Sequence, residues 1–328
     1  MSIRIVSGRR DPLVKVAPHI FRIDLPVTEV LPTTNSYIII GSQRSLLIDA
    51  GLNIQESKDA IDLALSRLNV PWSKVDVFLT HGDLDHAAGL TQIARQTMRV
   101  FSGMTDFRQR SIPIMCGEPF FALVERICNE HGTPFEFDPD WWAPMRDRGT
   151  DDIWVTTLHE GDTLDVGDYH FEVIATPGHE PHHLCLFDAA SGIFVSGDHV
   201  LDNQYPSVVL SSDTDELGMY LQSLDKIRDY PATLVLPGHG DEFTDLAGRV
   251  DAIKAHYDRQ LNSIREILDT GITDPAQIAY ATTCRPRRKP WGERPLFGQV
   301  ALVGATMTYL KHLVTTGEYP DQYEILHK

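Results

Sequence analysis

Short apolar runs separated by turn residues dominate about the first 240 residues of this 328-residue chain. The segments "PHIFRIDLP", "SYIII", "SLLIDAG" and "VDVFLT" are typical of strands, because alternating or brief continuous apolar residues indicate half-buried or fully buried strands. After Gly161 the same pattern returns in "DTLDVGDYHFEVIATPG", "HLCLFDAASGIFVSGD" and "ATLVLPGHG". Two successive groups of strands, each with helices, predict an α/β fold: a four-layer αβ/βα sandwich of two similar halves.

Helical periodicity marks three segments between these strands. In "NIQESKDAIDLALSRLNV", Ile61, Leu65 and Leu68 share one face, and Asn53 is the expected N-cap with Glu56 three residues further on. The segment "DTDELGMYLQSLDKI" is amphipathic with the same period. A third helix is expected to open at a polar motif, in "HAAGLTQIARQT".

The pattern loosens between about residues 104 and 150 and becomes helical after residue 243. We therefore expect an α/β domain over residues 1–243 and a separate helical domain over residues 244–328, which is workable when docked on a larger core. The 104–150 insertion carries one expected helix, "EPFFALVERICNEHG", and then the aromatic segment "FEFDPDWWAPMRDRG". Long aromatic insertions beside a site often serve as lids or substrate walls. Covering a sheet edge is the equally weighted alternative.

The composition narrows the classes of partner and setting. The formal net charge of −17 argues against a long polyanion such as nucleic acid. It does not exclude a small anionic substrate, because a local metal or arginine cluster can outweigh the field of the whole protein. The 4 cysteines show no C-x-x-C spacing and "MSIRIVSGRR" has no apolar secretory core, so we expect a reduced, cytoplasmic setting. No apolar run approaches about 18 residues, so neither a transmembrane helix nor a membrane partner is expected.

The candidate chemistry lies in "VDVFLTHGDLDHAAGL", where two histidines and two aspartates closely follow a strand. His81, Asp83 and Asp85 alternate, so an extended chain places them on one side, with His86 opening the next helix. Imidazole and carboxylate are the donor set for a first-row divalent metal, and burying such groups without a partner is costly. The alternative is a polar loop in which Asp85 caps the helix. The density of the motif favours the metal.

Three further polar clusters follow apolar strands. They are "VIATPGHEPHHLCLF", "GIFVSGDHVL" and "TLVLPGHGDEF", which supply His179, His182, His183, Asp198, His199 and His239. Polar tips at corresponding strand ends converge on one edge of a sandwich. One polar cluster after a strand can occur by chance, but four of them in chain order are a specific indication of a shared site.

These landmarks resemble the metallo-β-lactamase superfamily, the binuclear metallohydrolase fold. The matching stretches are "LLIDAG", "THGDLDH", "TPGHEPHH", "SGD" and "PGHG", spanning about Phe21 to Gly240. The resemblance implies that one metal ion is held by His81, Asp83 and His179, the other by Asp85, His86 and His239, and that both are bridged by Asp198.

Other residues of these stretches are expected to support the ligands. Asp49 matches the family's aspartate behind the site, which orients a ligand; its alternative role is that of a turn residue at a strand end. His182, His183 and His199 are not standard ligands, so we expect them behind the ligands or in packing, without metal contact.

One residue departs from the family's usual H-x-H-x-D-H motif, because Asp83 stands where the second histidine is usual. A carboxylate adds negative charge and a harder donor, which shifts the metal preference from zinc towards iron or manganese. A carboxylate at this place also resembles the superfamily's flavodiiron oxygen reductases, which carry Glu and a flavin-binding domain; no flavodoxin-like segment with its phosphate loop is evident in this sequence. We therefore expect two divalent ions, zinc first, with iron or manganese as alternatives.

A water bridging two divalent cations loses its proton near neutral pH, since one zinc ion alone can lower the pKa of a bound water to about 7. We therefore expect a hydrolase that uses a metal-bound hydroxide on a small ester, lactone, thioester or related substrate. Asp85 or Asp83 would pass a proton to the leaving group, and no G-x-S-x-G elbow suggests a serine nucleophile. The alternatives are a di-iron redox or oxygen-handling enzyme of the same fold, and a non-enzymatic sensor or nucleic-acid-binding regulator.

The helical tail resembles the small winged-helix-like C-terminal domain of some hydrolases of this superfamily. The resemblance rests on "HYDRQLNSIREILDTG", "DPAQIAYAT" and "ALVGATMTYLKHLVTTGEY", and the acidic balance disfavours DNA binding. In this tail Arg285, Arg287 and Arg288 are expected to receive a phosphate-bearing substrate such as an acyl-coenzyme A, or alternatively to pair with the protein's own acidic surface. Trp141 and Trp142 of the insertion are the other expected substrate contacts. A homodimer is the default expectation for assembly.

Overall fold

The computed structural model describes residues 13–26, 33–104, 118–134, 153–208, 214–286 and 288–319. Seven of its strands form one sheet in chain order: β1 (Leu13–Ala17), β2 (Ile20–Leu25), β3 (Thr34–Ile39), β4 (Ser45–Ile48), β5 (Val75–Phe78), β6 (Val100–Ser102) and β7 (Thr156–Thr157). Neighbours from β1 to β4 pair antiparallel, and neighbours from β4 to β7 pair parallel.

Five strands form a second sheet in the order β12-β11-β10-β9-β8. They are β8 (Thr163–Val166), β9 (Tyr169–Ala175), β10 (Leu184–Asp188), β11 (Ile193–Gly197) and β12 (Leu234–Pro237). The pairs are antiparallel except β11 with β12, which run parallel. The carboxyl ends of β4 and β5, and those of β11 and β12, therefore each lie together at one sheet edge.

Helices lie between and after these strands in the chain. Those of the described residues are α1 (Gln55–Arg67), α2 (Leu84–Ala87), α3 (Leu90–Ile93), α4 (Glu118–Glu130), α5 (Glu216–Ile227), α6 (Leu246–Leu268), α7 (Pro275–Thr283) and α8 (Leu296–Thr315). No helix in this part of the chain combines the length and apolarity needed to cross a bilayer.

Alternate residues of the first sheet belong to two different cores. On one face, Ile39 and Phe78 pack in a cluster with residues of the second sheet such as Phe171 and Val195. On the other face, the intervening residues Ile38, Leu47 and Val77 pack with Ile61 and Leu65 of α1. Burying each such side chain stabilises the fold by roughly 1.5–3 kcal/mol. The predicted α/β sandwich is confirmed, and its strands appear in the sequence as apolar runs because both faces are covered.

The described chain divides into two compact units. The first comprises described residues within 1–110, 145–206 and 223–250 and contains both sheets. The second comprises described residues within 111–144, 207–222 and 251–328, and its core joins Val124 of α4, Ala279 of α7 and Val303 of α8. These units are groups of residues that pack together, and they do not test the domains expected from the sequence. The division into residues 1–243 and 244–328 stays a prediction, as does the winged-helix resemblance of the second domain.

Two local expectations are wrong. Asn53 does not cap α1: the helix begins at Gln55 with Ile54 at the N-cap, and the Asn53 side chain instead accepts a hydrogen bond from Gln92. The helix expected over "HAAGLTQIARQT" is two short helices, α2 and α3, which meet at Gly89. A Cβ at Gly89 would lie 2.1 Å from the carbonyl oxygen of Ala50, so this turn needs glycine to approach the end of β4.

Candidate metal centre

The predicted ligands lie in the first unit, in the segments that follow β5, β9, β11 and β12, with Asp85 and His86 in helix α2. Three sets of their donor atoms each lie within 4.8 Å of one another: His81, Asp83 and His179; Asp85, His86 and His239; and His81, His86 and Asp198. The first two sets coincide with the two ligand groups that the resemblance implies. The third connects them through Asp198.

Asp198 approaches histidines of both groups. Its Oδ1 lies 3.5 Å from Nε2 of His86, and its Oδ2 lies 3.2 Å from Nε2 of His239 and 3.9 Å from Nε2 of His179. Among the described residues, Oδ1 of Asp198 and Nε2 of His81 are fully buried without a hydrogen-bond partner. A carboxylate between two donor groups is the position that a bridging ligand occupies.

Hydrogen bonds behind the cluster determine which nitrogen carries the proton in three of the predicted ligand histidines, His81, His86 and His239. Oδ2 of Asp49 accepts from Nδ1 of His86 at 2.8 Å and from the Thr80 hydroxyl at 2.8 Å. Because the Thr80 hydroxyl has donated its only proton to Asp49, it accepts from Nδ1 of His81 at 2.9 Å. Nδ1 of His239 donates to the carbonyl oxygen of Thr33 at 3.0 Å. All three rings therefore direct an Nε2 lone pair into the cluster, which is the form a metal ligand requires.

The capping alternative for Asp85 is wrong. Helix α2 begins at Leu84 with Asp83 at its N-cap, where no side chain caps the helix. The Asp85 carboxylate instead accepts from the Thr34 hydroxyl at 3.2 Å and lies 3.3 Å from Nε2 of His239. Asp85 therefore stands within a helix instead of an extended run, and it belongs to a different donor group from Asp83.

The electrostatics of the cluster require positive charge. Burial opposes ionisation of Asp198, but His239 and His86 hold the pKa of its carboxyl well below the usual value. Burial likewise disfavours the charged form of His239, yet Asp198 and Asp85 raise the pKa of this imidazole to about 10. A proton on the imidazole supplies this positive charge when no metal ion is bound, and a cation between the Nε2 atoms and the carboxylate oxygens would take its place. The residues present therefore fit bound metal ions.

Two glycines allow strand ends to approach the ligands. A Cβ at Gly238 would lie 2.3 Å from Oδ1 of Asp198 and 2.7 Å from Cε1 of His86. A Cβ at Gly197 would lie 2.7 Å from Nε2 of His183, and the backbone there has φ of +49°. The glycines of "SGD" and "PGHG" are thus needed for close approach to the cluster.

The other histidines of the motifs lie outside the three donor sets. His183 is buried, accepts at Nε2 from the backbone N–H of Asp198 at 3.2 Å, and so donates from Nδ1 to the Thr176 hydroxyl at 2.7 Å. Burial lowers the pKa of His183 well below its usual value, which keeps the ring neutral in this role. His199 is buried with its ring 5.8 Å from that of His183, and burial lowers its pKa to about 3, whereas His182 is exposed.

The expected substrate contacts are placed only in part. Trp141, Trp142 and Arg287 lie outside the described residues. Arg285 pairs with Glu266 at 2.6 Å, and Arg288 donates to Gln260 at 2.9 Å; all four lie in the second unit. A role of these arginines towards substrate remains a prediction.

Sequence reasoning missed Thr34, Thr80 and Glu180. Thr80 directly precedes the histidine motif, so its position beside a ligand was readable from the sequence. Thr34 lies 51 residues before its partner Asp85, in a segment without a motif. Glu180 follows His179, and burial and the charge of Asp83 raise the pKa of its carboxyl to about 7.

Comparison with known proteins agrees with this geometry. The family model described as the metallo-beta-lactamase superfamily matches residues 31–98 and 121–239. The probable metallo-hydrolase YqjP of Bacillus subtilis (strain 168) is 28% identical over 251 residues, 71% of this chain and 75% of that protein. The acyl-coenzyme A thioesterase MBLAC2 of Gallus gallus is 26% identical, covering 76% of this chain and 87% of that protein. The atrochrysone carboxyl ACP thioesterase of Emericella nidulans is 24% identical, covering 72% of this chain and 61% of that protein.

Solved structures share the fold. A metallo-beta-lactamase family protein from Thermus thermophilus superposes with a TM-score of 0.70 at 22% identity, covering 92% of this chain and 95% of its own. A beta-lactamase domain protein from Burkholderia ambifaria gives 0.69 at 21% identity, covering 93% and 90%.

The chain therefore belongs to the metallo-β-lactamase superfamily. Within that superfamily it is an enzyme of the hydrolase class, to which its metallo-hydrolase and thioesterase relatives also belong.

Proposed function

We propose that this chain hydrolyses acyl thioesters with the help of two divalent metal ions, zinc in preference to iron or manganese. The observation that carries the proposal is the convergence of two His/Asp donor groups on Asp198. Thioesters are favoured within the wider class of esters and lactones because two relatives named thioesterases each align with more than two thirds of this chain.

The residues that would hold the ions are His81, Asp83 and His179 on one side, Asp85, His86 and His239 on the other, and Asp198 between them. When bound, the ions lower the pKa of a bound water and polarise the substrate carbonyl. Asp49 and Thr80 orient the rings of His86 and His81 so that Nε2 faces inward.

The ionisation of the carboxylates suits a thioester. Burial opposes it, but neighbouring histidines hold the pKa values of Asp83, Asp85 and Asp198 below the usual range, so these groups stay ionised and carry no proton that they could donate to a leaving group. A thiol has a pKa of roughly 8.5, so a thiolate leaves with far less need of a proton donor than an alkoxide does. Asp83 has the most exposed side chain of the three ligand carboxylates, at 52%, and would be the one that passes the proton from the attacking water to solvent.

The test is a substrate panel of one acyl group presented as thioester, lactone or alkyl ester, together with a phosphoester, assayed with zinc-loaded and iron-loaded protein. Thioester hydrolysis should give the highest kcat/KM, and the His86→Ala protein should lose it. Phosphoester or lactone turnover that exceeds thioester turnover would refute the proposal.

A di-iron redox enzyme is the second candidate, and Asp83 is the observation that favours it, because a carboxylate in place of histidine is a harder donor. Metal analysis of protein produced without added zinc, together with an absorption spectrum, separates the two. Iron at two ions per chain with a ligand-to-metal absorption band would replace the hydrolase proposal.

A further inference from the structure

A cavity of about 200 Å³ lies beside His239, and no predicted metal ligand lines it. Its wall includes Arg22, Thr33, Asn35 and Gly240. Thr33 accepts the Nδ1 hydrogen bond of His239, and Gly240 follows His239 in the chain. The cavity therefore shares its wall with a metal-binding loop, and its volume is several times the roughly 30 Å³ that one water occupies in the liquid.

Asn35 presents a fixed acceptor on this wall. The residue is 3% exposed, and its Nδ2 donates to the carbonyl oxygens of Pro237 at 2.9 Å and Gly240 at 2.8 Å. Because both partners can only accept, the amide cannot be reversed, and Oδ1 lies on the other side. Within the described part of the chain Oδ1 accepts no hydrogen bond, and it is not among the fully buried unpartnered atoms, so it keeps some exposure on a residue that lines the cavity.

Arg22 presents a donor on the same wall. Its Nε donates to Asp24 at 2.7 Å and its Nη1 to Glu242 at 2.8 Å. Nη2 donates to none of the described residues, although the side chain is only 12% exposed. Asp24, Glu242 and the more distant Asp241 more than offset the arginine charge, so the cavity does not favour a phosphate.

Asp24, Gln204 and Asp241 also line the cavity, and within this wall Nη2 of Arg22 and Oδ1 of Asn35 form a donor and an acceptor complementary to a secondary amide. The amide carbonyl accepts from Nη2 of Arg22, and the amide N–H donates to Oδ1 of Asn35. A ligand N–H would replace water at Oδ1 and contribute the modest free energy of one ordinary hydrogen bond.

We infer that this cavity binds an amide of the pantetheine arm on which an acyl thioester is carried, so that Arg22 and Asn35 determine specificity for the leaving group. The inference rests on the proposed thioesterase function. In pantetheine the nearest amide nitrogen lies two carbons from the thioester sulfur, which suits a cavity that adjoins a ligand loop. Coenzyme A and acyl carrier proteins both supply this arm.

The first experiment compares two thioesters of the same acyl group, one made with N-acetylcysteamine and one with 2-acetoxyethanethiol. They differ only in an N–H replaced by an ester oxygen. The wild-type kcat/KM should be about fivefold to tenfold higher for the amide, as expected for one hydrogen bond of ordinary strength. The Asn35→Leu protein should lose this preference, whereas Arg22→Lys should lower kcat/KM for both thioesters because both present the carbonyl. Arg44→Lys, which alters an arginine pair with Asp76 elsewhere in the unit, should change neither kcat/KM nor the preference. Equal kcat/KM values for the two thioesters with the wild-type protein would overturn the inference, whether or not the Asn35 variant folds.

A second experiment measures binding without turnover. S-methyl pantetheine, a thioether that cannot be hydrolysed, is titrated calorimetrically into the protein as purified. Binding that weakens at least fivefold in Arg22→Lys but not in Arg44→Lys would support the amide-binding role of the cavity. If the same protein hydrolyses no thioester, that failure would count against the proposed function and not against the cavity. If S-methyl pantetheine does not bind the wild-type protein, the inference that this cavity binds pantetheine is overturned. Comparison of acyl-coenzyme A with the same acyl group on a carrier protein then identifies which source of pantetheine is preferred.

Discussion

Replacing Asp49 by asparagine should weaken the binding of one metal ion while leaving the fold in place. Asp49 is 1% exposed, and its carboxylate accepts from the Thr80 backbone N–H, the Thr80 hydroxyl and Nδ1 of His86, all at 2.8 Å. Asparagine offers one acceptor oxygen and one NH₂ group. With its oxygen towards the Thr80 backbone, the NH₂ faces the proton on Nδ1 of His86; with the amide reversed, it faces the backbone N–H. No orientation satisfies all three donors.

The least costly relief is a change of tautomer at His86. Its proton moves from Nδ1 to Nε2, which places an N–H where a metal ion needs a lone pair. The interaction lost is one hydrogen bond to a charged group, worth about 1.5–3 kcal/mol. That corresponds to about a tenfold to hundredfold weaker affinity for the ion at Asp85, His86 and His239, the usual effect of removing a partner behind a metal ligand. The backbone at residue 49 has φ of +59°, which asparagine also tolerates, so the exchange adds no strain.

The assay is a titration of metal-depleted protein with zinc against a chromophoric chelator, alongside thermal unfolding. Asp188→Asn is the matched control, because Asp188 is 2% exposed and accepts hydrogen bonds from His170 and Ser191 at the end of β10 away from the cluster. Both variants should melt at lower temperature, and only Asp49→Asn should bind zinc more weakly. Unchanged affinity for two ions in Asp49→Asn would refute the reasoning that this hydrogen bond sets the His86 tautomer.

Three further variants test other parts of the structure. Asp198→Ala should abolish hydrolysis and full metal occupancy because both donor groups meet at this residue; two tightly held ions in a metal analysis would contradict it. Asp83→His should raise the ratio of zinc to iron bound from an equimolar mixture, since imidazole is the softer donor. An unchanged ratio would show that Asp83 does not determine which metal is bound. Burial opposes ionisation of Asp76, but hydrogen bonds from Arg44 and Arg99 outweigh this effect and lower the pKa of the carboxyl. The ionised Asp76 therefore stabilises the fold fully above the ordinary pKa of about 3.9, and this stabilisation is lost as the pH falls from there through the lowered pKa of the folded state. Asp76→Asn should therefore cost about 3 kcal/mol at pH 7 and flatten the acid limb of Tm against pH; a parallel acid limb would refute this.

The sequence predicts the fold well where burial is two-sided. β4 and β5 are short apolar runs because Leu47 and Val77 face α1 while Ile48 and Phe78 face the second sheet. The break between α2 and α3 was not predictable in the same way. It depends on the carbonyl oxygen of Ala50, which approaches Gly89 only in the folded chain.

The candidate site likewise has a part that could be predicted from the sequence and a part that could not. Its candidate ligands could be predicted because each lies a few residues beyond the end of a strand, where local pattern and chain order are informative. Asp49 and Thr80, which orient His86 and His81, lie in the motif stretches, but other supporting residues come from a segment without a motif. Thr33 and Thr34 contact His239 and Asp85, and Asn35 holds the carbonyls of Pro237 and Gly240. These pairs are separated by 51 to 206 residues, so no periodicity connects them.

The segment from Thr33 to Asn35 consequently connects the two halves of the sandwich at the point where chemistry is proposed. The backbone N–H of Asn35 donates to the carbonyl of Gly238 at 2.7 Å, and the carbonyl oxygen of Thr33 holds the ring of His239. Gly238 in turn has no room for a side chain beside Asp198 and His86. A shift of this segment would therefore move a candidate ligand of one ion and the wall of the amide cavity together. A substrate bound in the proposed cavity and a metal ion held at His239 would be positioned by one set of backbone hydrogen bonds, which is a physical reason to expect that the leaving group and the metal centre are recognised as a unit.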